Sequence, residues 1–421
     1  MSYLKYWLSL FLLSSTVFAQ TYQGELEVLV ADDFTKQQAK TLYKLHEGIE
    51  VYTLEIPKSL INTEFLTGTK VIIEGQEKAG FTADNKIIHV ESILKEKGVA
   101  AISKKYGFEN RKALVLLVDF NNIQATKTVK VKDVDSIMYE TPRSMQKNIL
   151  TDSFGQVFFN RDTNNDGKAD IETVKLDYAA KGCSPDQWAR DALSAATQMG
   201  IKLNLYQHFM FVIPKDVNCN WGGLGHLGCG TSCYTWIRAY EPQGTYAQIV
   251  YVHEIGHNLG MHHSATDTNN DGVPESEYGD AACIMGTGDF QYLKQANAPH
   301  RDQMHWFDMF SNRLKVVSGD GVFAISPLDA GIDHTGLLTL KIQRNSSETY
   351  YVSFRRDIGP FGPGAPAYLD KVNIHRVVAG DSHSYFIKAI GAGESFVDPK
   401  INLNISVISL DKNFALISVK K

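Results

Sequence analysis

The residues best equipped for chemistry fall in one run, His253-Glu254-Ile255-Gly256-His257-Asn258-Leu259-Gly260-Met261-His262-His263. On a helix, His253 and His257 lie one turn apart on the same face, so their imidazoles can share one tetrahedral ion. Glu254 then sits beside that ion rather than on it. A carboxylate there can take a proton from activated water and pass it to a leaving amine. Gly260 adopts a left-handed conformation at low cost, which ends the helix and turns the chain so that His263 becomes the third ligand. His262 is adjacent but off-register, and is expected beside the site or in solvent. The spacing H-E-x-x-H-x-x-G-x-x-H predicts one catalytic zinc held by His253, His257 and His263, with Glu254 as general base. A surface helix carrying histidines by chance would need neither the glycine nor the third histidine.

These residues need a helix beneath them and a sheet beside it. Thr245 and Gln248 have capping-box spacing, and Ile249, Val252, Ile255 and Leu259 form an apolar stripe. A second helix is expected from Ser184-Pro185-Asp186-Gln187 to Gly200, with Trp188, Ala192, Leu193, Ala196 and Met199 inward. The continuous apolar runs at 113–120 and 208–213 read as buried strands. The glycine-rich stretch 221–228 is either a tight loop or an edge strand, whose unpaired N–H and C=O groups could add an extended peptide as a further strand.

The eleven-residue run resembles the metzincin clan of zinc endopeptidases. Cys283-Ile284-Met285-Gly286 is similar to the methionine turn that lies beneath the metal in that clan. The segments Ala113-Leu114-Val115-Leu116-Leu117-Val118-Asp119-Phe120, Asn220-Trp221-Gly222-Gly223-Leu224-Gly225, Tyr278-Gly279-Asp280 and Asn297-Ala298-Pro299-His300 resemble the gametolysin family. The resemblance implies a sheet above the active-site helix, Met285 as an apolar floor and hydrolysis of peptide bonds. Some metzincins carry an oxyanion-assisting tyrosine two residues after that methionine; here the position is Thr287. Latency through a propeptide cysteine on the zinc is excluded, because no cysteine precedes Cys183.

With 421 residues the chain exceeds one ordinary core. Its net charge of −5 and lack of a long basic run argue against nucleic acid as partner. Residues 1–19 read as a secretory signal, with Lys5, an apolar run at 7–13 and Val17-Phe18-Ala19 as the cleavage site, giving a mature chain from Gln20. The apolar core is too short for an uncleaved anchor, and no later stretch is long and apolar enough for stable membrane insertion. In an exported chain the five cysteines, Cys183, Cys219, Cys229, Cys233 and Cys283, suggest two disulfides and one leftover thiol. Their pairing stays open.

The expected class is α+β: a metzincin-like zinc peptidase domain at 113–310 with a mixed sheet, flanked by a small β domain at 20–100 and a C-terminal β-sandwich at 311–421. Short alternating runs at 25–30, 51–56, 70–74 and 86–90 suggest a small barrel or sandwich, serving as pro-region or packing module. A linker at 101–112 contains Lys104-Lys105, a processing site if that domain is removed. Runs at 337–342, 350–354, 371–377, 401–410 and 414–419 define the C-terminal strands.

A second metal candidate is the hexapeptide Asp-Thr-Asn-Asn-Asp-Gly, present at 162–167 and 267–272. Oxygens at Asp162, Asn164, Asp166 and Asp170, and at Asp267, Asn269, Asp271 and Glu275, have the spacing of the front half of a calcium loop. Thr173 and Tyr278 stand where an EF-hand has its last glutamate, so structural calcium without the helix pair is expected. Polar Asx turns are the alternative.

The sequence thus predicts a secreted, monomeric zinc endopeptidase acting on protein or peptide substrates. Two rivals are a calcium-stabilised adhesion protein on a peptidase scaffold and a zinc hydrolase of cell-wall peptides.

Overall fold

The structure, a computed structural model, describes residues 19–79, 86–96, 107–286, 293–332, 334–362, 365–381 and 383–421. The expected leader up to residue 18, Lys104-Lys105 and Thr287 lie outside the described residues. The chain is mixed helix and strand, with strand dominating.

The first strands are β1 (Gln20–Asp33), β2 (Gln38–Glu47), β3 (Glu50–Glu55), β4 (Lys70–Ala79) and β5 (Lys86–Lys95). They pair as a closed ring, β1-β2-β3-β5-β4-β1, with only β3 and β5 parallel. Alternation along β1 turns Leu26, Val28 and Val30 into the ring, where they meet Leu45, Leu54, Val71, Ile73, Ile88 and Val90. The side-chain period of two thus makes the core of this part.

Six strands follow: β6 (Glu109–Phe120), β7 (Val157–Asn160), β8 (Ile171–Leu176), β9 (His208–Ile213), β10 (Gly223–His226) and β11 (Cys233–Arg238). β8, β6, β9 and β11 run parallel in that order, and β7 pairs the first residues of β6. β10 joins antiparallel to β11. Its other side is taken by β1, also antiparallel. The long first strand therefore belongs to the ring and to this sheet at once.

Five helices accompany these strands: α1 (Val131–Asp135), α2 (Met145–Asp152), α3 (Pro185–Gln198), α4 (Tyr246–Leu259) and α5 (Ala298–Gln303). One face of the central sheet, with Ala113, Val115, Leu117, Met210 and Val212, packs on Ile249, Val252 and Ile255 of α4. The other, with Leu114, Leu116, Phe209 and Phe211, packs on Trp188, Ala192 and Ala196 of α3. Coverage on both faces explains why β6 and β9 read as unbroken apolar runs. The helix starts differ from expectation in one detail: neither Ser184 nor Thr245 makes a side-chain cap bond. Thr245 already has helical angles, φ −99° and ψ −14°, whereas a capping side chain needs an extended residue.

The remaining strands are β12 (Ser264–Thr266), β13 (Leu314–Val317), β14 (Gly321–Ile325), β15 (Thr339–Gln343), β16 (Glu348–Arg355), β17 (Lys371–Val378), β18 (Ser384–Ile390), β19 (Ser395–Asp398), β20 (Leu403–Leu410) and β21 (Ala415–Lys420). They form two sheets, β12-β18-β17-β16-β15-β13 and β14-β21-β20-β19. The two share one core that includes Ile342, Val352, Ile374, Ile405, Ile417 and Val419. Because β12 begins at the residue after His263, these sheets brace the end of the histidine run directly.

Two disulfides, Cys183–Cys219 and Cys229–Cys233, staple the loops around α3 and β11, and Cys283 is a buried free thiol. Among the described residues no helix is long and apolar enough to cross a membrane.

Candidate active site

Helix α4 is buried almost throughout, including His253, Glu254 and His257. Gly260 ends it with φ 103°, and the amides of Gly260 and Met261 bond back to the carbonyls of His257 and Gly256. That left-handed turn carries His263 back to the other two imidazoles.

Each of the three rings is fixed through its far nitrogen. His253 Nδ1 lies 2.9 Å from the Ile284 carbonyl, His257 Nδ1 2.8 Å from the Met261 carbonyl, and His263 Nδ1 3.0 Å from Glu277 Oε1. All three partners are acceptors, so in the neutral ring the proton sits on Nδ1 and the lone pair on Nε2. The three Nε2 atoms converge: those of His257 and His263 are 3.2 Å apart.

A fourth group reaches the same point. Asp32, near the end of β1, places its carboxylate 2.9 Å from His263 Nε2, 3.2 Å from His257 Nε2 and 3.8 Å from His253 Nε2. Tyr278 donates its hydroxyl to Asp32 Oδ1 and packs its ring 4.2 Å from that of His263. Phe34 closes the other side, edge-on to His253 at 5.2 Å.

Facing lone pairs around a buried carboxylate require positive charge. His253 Nε2 and Asp32 Oδ2 are buried without a hydrogen bond. Burial by itself would depress His263, yet the charges of Asp32 and Glu277 outweigh it and lift that imidazole to about 9. Burial holds His253 down to about 3 against the same carboxylate. Nitrogen donors converging with one oxygen make a donor set suited to zinc, and each imidazole has the outer partner that such ligands carry. The residues present fit the ion that the sequence implies.

Glu254 stands beside this point and under β10. A methyl group on Gly223 or Gly225 would overlap its carboxylate, so glycine at these positions is what lets the strand pass over it. Both Glu254 oxygens are buried without a hydrogen bond. Burial, and next the negative charge of Asp32, push its pKa well above the usual carboxylate range. Beneath the helix, the Met285 sulfur fills the space a side chain at Gly256 would take. His262 does not join the cluster.

The segments flanking the site are bonded to one another. Asp280 accepts from Ser264 Oγ at 2.7 Å and Asn297 Nδ2 at 3.2 Å, and lies 2.9 Å from His375 Nε2 of β17. His300 Nδ1 lies 3.4 Å from the Cys283 sulfur, so this imidazole supports the Met285 turn rather than the histidine cluster. His305 pairs with Asp308 on the surface.

The acidic hexapeptides fold alike. Asp162 accepts from the amides of Asp166 and Gly167, and Asp267 from those of Asp271 and Gly272. Asn164 and Asn269 accept from the same Asp166 and Asp271 amides, and Asp166 and Asp271 from Lys168 and Val273. Asn165 and Asn270 take the left-handed conformation, at φ 60° and 58°. Asp170 is buried, accepting from the Thr163 amide and Tyr206, whereas Glu275 is exposed on the Thr268 amide. Among the described residues only the second loop has a cationic side chain on its first aspartate: Arg376 of β17 donates to Asp267.

Asp32, Glu277 and Tyr278 escape the sequence reading as parts of the zinc site. One signal for Asp32 was available: it continues the two-residue alternation of Leu26, Val28 and Val30, so a carboxylate falls in register with an apolar face.

Two imidazoles from a helix and one from the turn after it, beside a buried carboxylate without a hydrogen bond, are the groups that metallopeptidase chemistry calls for. The family model of gametolysin peptidase M11 matches residues 112–392, more than half of the chain, and the protein belongs to that family. Comparison with curated proteins gives no match. Among solved structures the chain is similar to catalytically inactive OgpA of Akkermansia muciniphila in complex with an O-glycopeptide (glycodrosocin) substrate, at 12% identity and a TM-score of 0.32, covering 67% of this chain and 93% of that one. Wild-type OgpA from the same organism is similar at 13% identity and a TM-score of 0.31, over the same shares.

Proposed function

We propose that the protein is an exported zinc endopeptidase of extracellular proteins, with His253, His257 and His263 as ligands, Glu254 as general base and then acid, and Met285 as floor. The observation that carries this reading is the convergence of three Nε2 atoms whose Nδ1 atoms are already committed to acceptors. A zinc ion held there lowers the pKa of water and polarises a carbonyl. Glu254, buried and with both oxygens unbonded, is placed to take a proton from the attacking water and return it to the leaving amine. Tyr278, whose hydroxyl already donates to a carboxylate oxygen beside the ligand nitrogens, is the group suited to the developing oxyanion.

In this reading the ring of β1–β5 is a separate small domain, the central sheet and α4 form a metzincin-type catalytic domain, and the last two sheets are a C-terminal sandwich. Export through the leader at 1–19 agrees with two disulfides in a chain of this kind. The hexapeptide loops are proposed as calcium sites that support the fold, and the enzyme as a monomer. A non-catalytic adhesion role fits less well, since an unpaired carboxylate buried beside the ligands costs stability that only chemistry would justify.

The test is Glu254→Ala together with Tyr278→Phe, assayed on a mixed peptide library with zinc content measured in parallel. The first should lower hydrolysis by about a hundredfold or more, and the second by about a hundredfold. Zinc content should stay at the wild-type level in both. Near-normal turnover in the Glu254 variant overturns the mechanism.

A further inference from the structure

We propose that Asp32 is a fourth protein ligand of the metal, delivered by a strand lying where an extended substrate would pair, so that the N-terminal ring closes the active site of the intact chain. The inference rests on the peptidase reading above and adds a ligand and a regulatory role to it.

Two independent observations carry it. The first is charge. Asp32 is fully buried, and the ion-pair partners recorded for it among the described residues are the three histidines. With each Nδ1 committed to an acceptor, the three imidazoles turn their Nε2 atoms toward the carboxylate, as metal ligands would. A carboxylate buried among such groups is strongly disfavoured without a positive charge beside it. A divalent cation at their meeting point would satisfy all four groups, and the donor set of three imidazoles and one carboxylate is complete for tetrahedral zinc.

The second is backbone pairing. β10 passes directly over Glu254, so its edge is the one an extended peptide presented to Glu254 would pair with. That edge is occupied. β1 pairs it antiparallel, with Leu29 opposite His226, Val30 opposite Gly225, Ala31 opposite Leu224 and Asp32 opposite Gly223. The Gly222 amide bonds the Asp32 carbonyl at 2.6 Å and the Leu227 amide bonds the Val28 carbonyl at 2.8 Å. β11 holds the other side of β10. The residue that reaches the metal point is therefore on the strand that fills the groove, and Tyr278 already donates to its carboxylate as it would to a substrate carbonyl.

If Asp32 ligates, it competes with any small zinc-binding group for the fourth position. The experiment uses the full chain loaded with cobalt(II) and titrated with acetohydroxamate, read by the visible spectrum, in wild type, Asp32→Asn and Asp32→Ala. Asp32→Asn keeps the shape and the acceptor for Tyr278, which guards against a folding failure in the alanine variant. Asp33→Asn is the control, since Asp33 bonds Thr35 and Lys36 outside the site. The expected result is a shifted cobalt spectrum and hydroxamate binding at least about tenfold tighter in both Asp32 variants, with wild-type behaviour in the control. Cobalt should also leave the variants faster on addition of a chelator. Tighter hydroxamate binding upholds the proposal whether or not peptide hydrolysis rises, because β1 still covers β10. Equal affinity and equal spectra in wild type and Asp32→Asn overturn it while the peptidase reading stands. Failure of every form to take up cobalt would defeat both.

Discussion

The histidine centre and the two acidic loops are both metal candidates by ligand spacing, yet they are built in opposite ways. In the centre each imidazole spends its far nitrogen on the scaffold and leaves the near one aimed at a common point. In the loops the candidate oxygens are themselves spent, accepting amides of their own turn. A centre of the first kind is preorganised around a charge the chain does not supply. A loop of the second kind is a turn satisfied by its own amides, to which a cation would be an addition. The two loops also differ from each other, because Arg376 reaches Asp267 from a distant strand.

The largest effect that would sharpen this contrast is on zinc affinity. A binding energy of about 10–16 kcal/mol shared among a few ligands makes each worth about 3–4 kcal/mol, so His263→Ala should weaken zinc by about a hundredfold to a thousandfold. His262→Ala should change it little, measured by competition with a chromophoric chelator. Equal losses would mean that the register of the third ligand is wrong.

Next comes the second loop. Asp267 and Arg376 are both fully buried, so Asp267→Ala leaves the guanidinium to Glu348, 3.6 Å away, and should cost about 3 kcal/mol in urea unfolding. A loss near that of an ordinary surface substitution would show that the pair is not what holds this loop.

The smallest effect belongs to the first loop. Calcium at about a hundredfold over its dissociation constant should stabilise the wild-type chain by about 2.7 kcal/mol per site. Asp162→Ala should remove the share of the first loop, read as the calcium-dependent rise in Tm, and magnesium should not substitute for calcium. A Tm unmoved by calcium in wild type would make both loops ordinary polar turns.

Much of the fold was legible where one local period ruled. The unbroken runs that became β6 and β9, the stripe of α4 and the alternation of β20 and β21 all announce elements whose environment follows one period along their length. β18 was not legible. Its residues Ser384 to Phe386 and Ile387 are buried in succession, so alternation is absent, while Ser384 is polar and pairs with the histidine run's own strand β12. β14 and β19 are short edge strands with half their residues exposed, and give weak signals. The cap bonds expected at Ser184 and Thr245 do not form, and Thr245 already has helical backbone angles.

The sequence alone determined the part of the site that is local. Four-residue spacing on a helix, a glycine able to turn left and a histidine three residues further bring three imidazoles together without help from the rest of the chain. Only the tertiary structure decided what meets them. Asp32 and Tyr278 are 246 residues apart, on a strand of the N-terminal ring and a loop beyond the histidine run, and no period links them. Their meeting depends on β1 pairing with β10, and the charge of Arg376 at Asp267 depends in the same way on β18 standing between β17 and β12. Short-range geometry fixes which atoms can bind an ion. Long-range strand pairing decides what else faces that point.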